Sequence, residues 1–209
     1  MTTIRRLTHS CVIVTDDDHA TLIDPDFFTF TSGVIDLSSI GDITRVLITH
    51  EHGDHVHPEF VAWLKNRRDD LVVFSNPAVQ AMLSKSDIDV STEVPEGTSV
   101  QDVLHERIPN GATPPNRAWT VDNVFTHPGD SYGLGACAPV LSLSLIAPWG
   151  SATASVEFAK RLAPQQVIPA HDFYLSEQGR SFIPNLVAGP LREAGIEIVP
   201  LGWGDSYTV

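Results

Sequence analysis

Three histidines and two carboxylates fall within six consecutive residues, His50-Glu51-His52-Gly53-Asp54-His55, directly behind the apolar run Arg45-Val46-Leu47-Ile48-Thr49. A β-branched run of that kind reads as a buried strand. The fold must therefore deliver a ligand-rich loop at the end of a core strand. Neutral imidazole and carboxylate are the donors that zinc, iron and manganese accept. Alternation within a strand or tight loop would point His50 and His52 the same way, while Gly53 lets the chain bend before Asp54 and His55. One loop could thus feed two adjacent metal ions. The competing reading is a solvated histidine-rich loop or a tag-like metal scavenger; tags lie at termini, and this cluster follows a buried-looking strand.

A chain of 209 residues can bury a full core as one domain, and no linker-like composition shift divides it. The formal net charge of -13 argues against a nucleic-acid or anionic-membrane surface, because phosphate would be repelled before a specific contact formed. Cys11 and Cys137 make no disulfide framework and fit a reducing cytoplasm. The N-terminal stretch does not resemble a signal peptide, and no apolar run is long enough to span a bilayer. A cytoplasmic location is the expectation.

Strands alternate with helices along the chain, with two antiparallel ribbons. Ile4 to Val14 and Ala20 to Ile23 are apolar runs separated by the acidic turn Asp16-Asp17-Asp18, a hairpin signal. Ile43 to Thr49 and Leu71 to Ser75 read as strands, Pro58 opens a helix, and Asn76-Pro77 has the form of an N-cap and first helical position. From Thr98 to Thr126 the pattern is extended, with a turn at Val121-Asp122-Asn123-Val124. The second half repeats the grammar: strand Val140 to Ala147, helix Ser151 to Leu162, strand Gln166 to Pro169, and a last helix from about Ser176 to Ala194 interrupted by Pro184 and Pro190. Two sheets between outer helices would bury these elements. The closing stretch, Ile196 to Val209, would finish a sheet edge or meet a partner chain.

Other candidate ligands fall at related places. His105 lies in the extended stretch Val100 to Ile108, Asp130 follows Val124 to Gly129, and His171 follows Val167-Ile168-Pro169-Ala170. Loops at strand ends are where separated side chains converge on one site.

Taken in order, these motifs resemble those of metallo-β-lactamase-fold hydrolases, from the compact branch that includes ascorbate phosphate lactonase-like proteins. The resemblance covers nearly the whole chain: His9-Ser10-Cys11-Val12-Ile13-Val14, Leu22-Ile23-Asp24-Pro25, the His-x-His-x-Asp-His signature at His50, His52, Asp54 and His55, Gly129-Asp130, and Ile168-Pro169-Ala170-His171-Asp172. It implies one α/β domain over residues 1–209, a four-layer αββα sandwich of two mixed β-sheets flanked by helices. It further implies that His50, His52 and His105 hold a first divalent ion and Asp54, His55 and His171 a second, with Asp130 bridging. His127 competes with His105; the family places this ligand before the hairpin leading into the Gly-Asp motif, which favours His105. Asp24 would orient a ligand histidine from behind, or serve simply as a turn residue before Pro25, and His9 would contact substrate at the rim or merely complete a hydrogen-bonded hairpin.

The implied chemistry is hydrolysis. Two ions about 3.5 to 4 Å apart share a bridging hydroxide and polarise a carbonyl or phosphoryl oxygen. Asp54 would both bind metal and take or steer the proton. Zinc is the expected metal, with manganese and iron compatible. The expected substrate is a small cytoplasmic ester, lactone or phosphodiester, with no nucleic acid and no membrane, and a homo-oligomer is left open. Fold alone does not choose the reaction. A mononuclear iron enzyme oxidising a sulfur compound and a non-catalytic metal-binding protein are the alternatives. Cys11 and Cys137 read as small buried hydrophobes, and Phe27, Phe28, Phe30, Trp119 and Trp149 as core or as the wall of an apolar pocket.

Overall fold

The structure is a computed structural model that describes residues 1–209. The chain divides into two compact units, residues 1–96 with 202–209 and residues 97–201.

The first unit carries β1 (Thr3–Arg6), β2 (Val12–Thr15), β3 (Ala20–Ile23), β4 (Arg45–Leu47), β5 (Val72–Phe74) and the C-terminal β12 (Ser206–Thr208), with α1 (Phe27–Thr31), α2 (Pro58–Arg67) and α3 (Pro77–Leu83). Its six-stranded sheet has the order β12-β1-β2-β3-β4-β5. The joins are antiparallel up to β3 and parallel from β3 to β5. The acidic turn forms the β2–β3 hairpin because Asp16 Oδ1 accepts from the backbone N–H groups of Asp18 and His19, at 2.6 and 2.7 Å. The apolar run Ile4 to Val14 is two strands rather than one. Residues 7–11 reverse the chain, with Cys11 N donating to Thr8 O at 2.7 Å and His9 at φ 37°. Leu7 and Cys11, which flank that turn, are fully buried, as are Thr8, His9 and Ser10 between them, so neither a glycine nor a proline nor an exposed residue marks it in the sequence. Asn76 caps α3 as expected, accepting from Ala78 N and Val79 N. Phe60, Val61 and Leu64 of α2 and Val79 and Leu83 of α3 complete the unit's core with Leu22, Val46, Ile48 and Val73.

The second unit carries β6 (Thr98–Leu104), β7 (Pro115–Val121), β8 (Phe125–His127), β9 (Val140–Ser144), β10 (Gln166–Ala170) and β11 (Glu197–Ile198), with α4 (Ala152–Leu162) and α5 (Glu177–Glu193). The sheet order is β11-β10-β9-β8-β7-β6, antiparallel from β6 to β8 and parallel from β8 to β11. The expected turn after β7 is present, with Asp122 and Asn123 both in the left-handed region that these residue types tolerate. Ser151 caps α4, whose Val156 and Ala159 pack on Leu141, Leu143 and Val167. The last helix is continuous through Pro184 and Pro190 instead of interrupted. Asn185 Nδ2 donates to Ser181 O at 2.8 Å, supplying a carbonyl of the disturbed turn with a partner, and buried Val187 and Leu191 anchor the helix on its core face. The closing stretch ends both sheets: β11 pairs with β10, and β12 pairs with β1. No helix is long and apolar enough to cross a membrane.

Candidate metal centre

In the first unit, the signature loop follows β4 and is pinned by the segment after β3. Phe27 N donates to Gly53 O at 3.0 Å and His57 N to Pro25 O at 2.8 Å. Asp24, buried and at φ 52°, is the organiser. It accepts from Thr49 N and Thr49 Oγ1 at 2.7 and 2.8 Å, and its Oδ2 lies 2.6 Å from His55 Nδ1. A carboxylate accepting all three places the His55 proton on Nδ1 and leaves Nε2 as the donor atom for a metal. The Thr49 hydroxyl gives its proton to Asp24, so it accepts from His50 Nδ1 at 3.0 Å, and His50 is likewise left with Nε2. That Nε2 lies 3.0 Å from His52 Nδ1. Asp54 is the more open group, its side chain 21% exposed, and its Oδ2 is 3.4 Å from His9 Nε2.

The second unit gathers the remaining candidates around one oxygen. His105 Nε2 is 3.2 Å and His171 Nε2 is 3.3 Å from Asp130 Oδ2, with all three residues buried. His105 Nδ1 donates to Glu106 O at 2.5 Å, which again presents Nε2. His127 instead shapes the backbone: its Nδ1 accepts from Gly129 N at 3.1 Å inside the turn that carries Asp130. Two donor atoms on one tetrahedral ion, each at about 2.1 Å, stand about 3.4 Å apart. The His50–His52, His105–Asp130 and His171–Asp130 spacings, at 3.0, 3.2 and 3.3 Å, come close to that requirement, so the donors present fit a divalent metal. His9, Asp24 and His171 sit at φ 37°, 52° and 61°, in the left-handed region that histidine and aspartate tolerate better than most residues.

Several contributors carry no sequence signal. Thr49 orients His50 from behind, and Ser10 Oγ lies 3.3 Å from His55 Nε2, on the side that would face a metal. Trp149 Nε1 donates to Asp130 Oδ2 at 2.7 Å. Of the other aromatic residues, Trp119 is fully buried core, Phe30 stacks on Phe60, Phe28 meets the His9 ring edge-on at 5.1 Å, and Phe27 is 44% exposed. His57 flanks the start of α2 without capping it through its side chain. Cys11 is fully buried and burial, reinforced by the Asp26 charge, pushes its thiol well up, consistent with an inert packing role.

Asp26 is a buried carboxylate beside this loop. It caps α1 by accepting from Thr29 N at 2.5 Å, yet burial outweighs that bond and raises its pKa from 3.8 to about 7. A folded-state value above the unfolded one contributes stability that is full below about pH 4 and is lost as pH rises toward about 7. Asn caps as well as Asp. In protein treated with chelator, Asp26→Asn is expected to be more stable than wild type at pH 8, by an amount that shrinks toward pH 4. Urea midpoints of the two proteins across that range check this; a pH-independent difference would refute it.

No family model matches the sequence. Among curated proteins, protein Rv0786c of Mycobacterium tuberculosis is 25% identical over 187 residues, covering 82% of this chain and 84% of that protein. Among solved structures, Igni18, a metallo hydrolase from the hyperthermophilic archaeon Ignicoccus hospitalis, aligns with a TM-score of 0.71 at 16% identity over 99% of this chain and 97% of that one. The metallo-β-lactamase fold protein YhfI of Bacillus subtilis aligns with a TM-score of 0.65 at 12% identity over 99% and 98%. CmlA, a diiron β-hydroxylase from Streptomyces venezuelae, aligns at 0.63 and 15% identity over all of this chain and 54% of that one. With its two mixed six-stranded sheets flanked by helices, this chain has the metallo-β-lactamase fold.

Proposed function

We propose that the chain is a metal-dependent hydrolase of a small carboxylic ester or lactone, with a phosphodiester as the second choice of bond. In this reading His50, His52 and His105 bind one divalent ion, Asp54, His55 and His171 a second, and Asp130 both. The observation that carries it is the convergence of two buried imidazole Nε2 atoms on Asp130 Oδ2 at ligand spacing. The like spacing of His50 and His52 supports it from the other unit. Igni18, of the same fold, is a metallo hydrolase.

A divalent pair would activate water and polarise the bond to be cleaved. The chain's own groups do the rest. Asp24, Thr49 and the Glu106 carbonyl hold three imidazoles in the tautomer that offers Nε2. Asp54, partly open, is the proton acceptor, and His9 at 3.4 Å orients its carboxylate. The preference for an ester or lactone rests on charge and apolar surface. Of Arg107, Arg117 and Arg180, the arginines near the ligand segments, Arg117 is committed to Asp102 at 2.8 Å and Arg180 donates to Leu175 O at 2.7 Å, so neither of these two supports a phosphate clamp. Phe27 and Phe28 offer an apolar face beside His9.

Elemental analysis of protein purified without added metal, with parallel assays on a generic lactone, ester and phosphodiester, tests this reading. Near two equivalents of zinc or manganese with turnover of the lactone or ester is expected. One equivalent of iron without hydrolysis would overturn it and favour redox chemistry, a reading kept open by the diiron hydroxylase that shares the fold.

A further inference from the structure

Trp149 lies in the segment after β9, where Gly150 N returns to Ala147 O at 3.1 Å. Its indole N–H reaches Asp130 Oδ2 at 2.7 Å, the same oxygen that the two imidazoles approach. The ring also meets both imidazoles edge-on, with centroids 5.8 Å from His105 and 5.7 Å from His171. One side chain thus touches all three candidate ligands of the second unit. Such a placement needs bracing, and the bracing is built. Tyr132 packs edge-on against the indole at 5.1 Å, donates its hydroxyl to Ser144 O at 3.0 Å, and rests on Phe158. Residue 150 has to be glycine for this arrangement, because a Cβ there would stand 2.8 Å from the Tyr132 hydroxyl.

We propose that Trp149 is a positioning residue for the metal centre, its indole N–H holding the Asp130 carboxylate in the rotamer that presents Oδ2 to His105 and His171. The inference rests on the metal-dependent reading above. A carboxylate oxygen has two lone-pair directions. By occupying one, the indole fixes the other, so the oxygen is pre-set for a cation rather than free to rotate. The bond is one from a neutral donor to an ionised group, among the stronger kinds, which makes that restraint on the carboxylate firm. Removal of such an outer partner lowers metal affinity by about 10- to 100-fold. Because the indole meets two ligands edge-on, its fluorescence reports on the same event.

The test is calorimetric titration of chelator-stripped protein with zinc, for wild type, Trp149→Phe and Trp149→Gln, with tryptophan emission followed in parallel. Phe keeps an aromatic ring and loses the donor; Gln loses the ring and keeps a donor. Affinity is expected to fall by about 10- to 100-fold in the Phe variant and to recover in part in the Gln variant. The zinc-induced change in emission is expected to vanish in both variants, although Trp63, Trp119 and Trp203 remain. Zinc affinity within twofold of wild type in the Phe variant would overturn the proposal while leaving the hydrolase reading intact. Failure of wild type itself to bind zinc, manganese or iron would remove both. Near-ultraviolet circular dichroism of the stripped proteins separates a lost contact from a lost fold, and if both variants are unfolded the emission response of wild type decides alone: no response on saturation sinks the proposal.

Discussion

Asp54→Asn is expected to lower kcat on a small lactone or ester by about 10²- to 10⁴-fold, the range that a positioned proton acceptor contributes. Asparagine preserves the volume and one acceptor oxygen but cannot take up a proton. The substitution therefore separates two roles that the aspartate would combine. A loss of turnover at saturating zinc, with KM little changed, assigns the effect to proton transfer. A loss that added zinc repairs assigns it to ligation. The pH profile adds an independent sign: the acid limb of kcat, set by protonation of the catalytic group, is expected to disappear in the variant. Asp54 is suited to this work because it is partly open, its side chain 21% exposed, whereas Asp24, which orients His55, is fully enclosed by its own donors. Turnover within tenfold of wild type at saturating metal would remove Asp54 from the chemistry.

Much of the fold was legible because hydrophobic period and punctuation agree along most of the chain. Asn76-Pro77, Ser151 and the acidic turn each carry a local physical mechanism, and each does what that mechanism predicts. The turn through His9 was not legible, since it is held by backbone bonds and a left-handed residue between two buried apolar ones. Pro184 and Pro190 misled for the opposite reason: propensity argued for a break, but α5 is long enough and sufficiently anchored by Val187 and Leu191 to absorb them. At the site, residue types that bind metals declare themselves by chemistry, as His50, His52, Asp54 and His55 do. The groups that surround them do not. Thr49, Ser10 and Trp149 are ordinary residues whose role depends on which neighbour the fold brings to them, and no periodicity encodes that.

Asp130→Asn is expected to have the largest effect on metal loading. The Asp130 carboxylate has His105 Nε2 at 3.2 Å, His171 Nε2 at 3.3 Å and the Trp149 N–H at 2.7 Å around one oxygen, buried from solvent. The variant keeps the shape and an oxygen for the indole. What it loses is the negative charge that offsets the cost of holding a divalent ion away from water. Metal-free protein should therefore tolerate the change, because a buried charge is replaced by a neutral amide of the same size. Metal-loaded protein should not. Zinc at a hundredfold excess over its Kd stabilises a folded chain by about 2.7 kcal/mol, and that increment should be absent from the variant at the same zinc concentration. The decisive comparison is the rise in Tm on adding zinc, measured beside elemental analysis of each protein. Wild type should gain several degrees and carry close to two equivalents, while the variant should gain little and lose at least one. An equal rise in both proteins, with equal metal content, would show that the ions bind elsewhere, and the ligand set proposed around Asp130 would have to be abandoned.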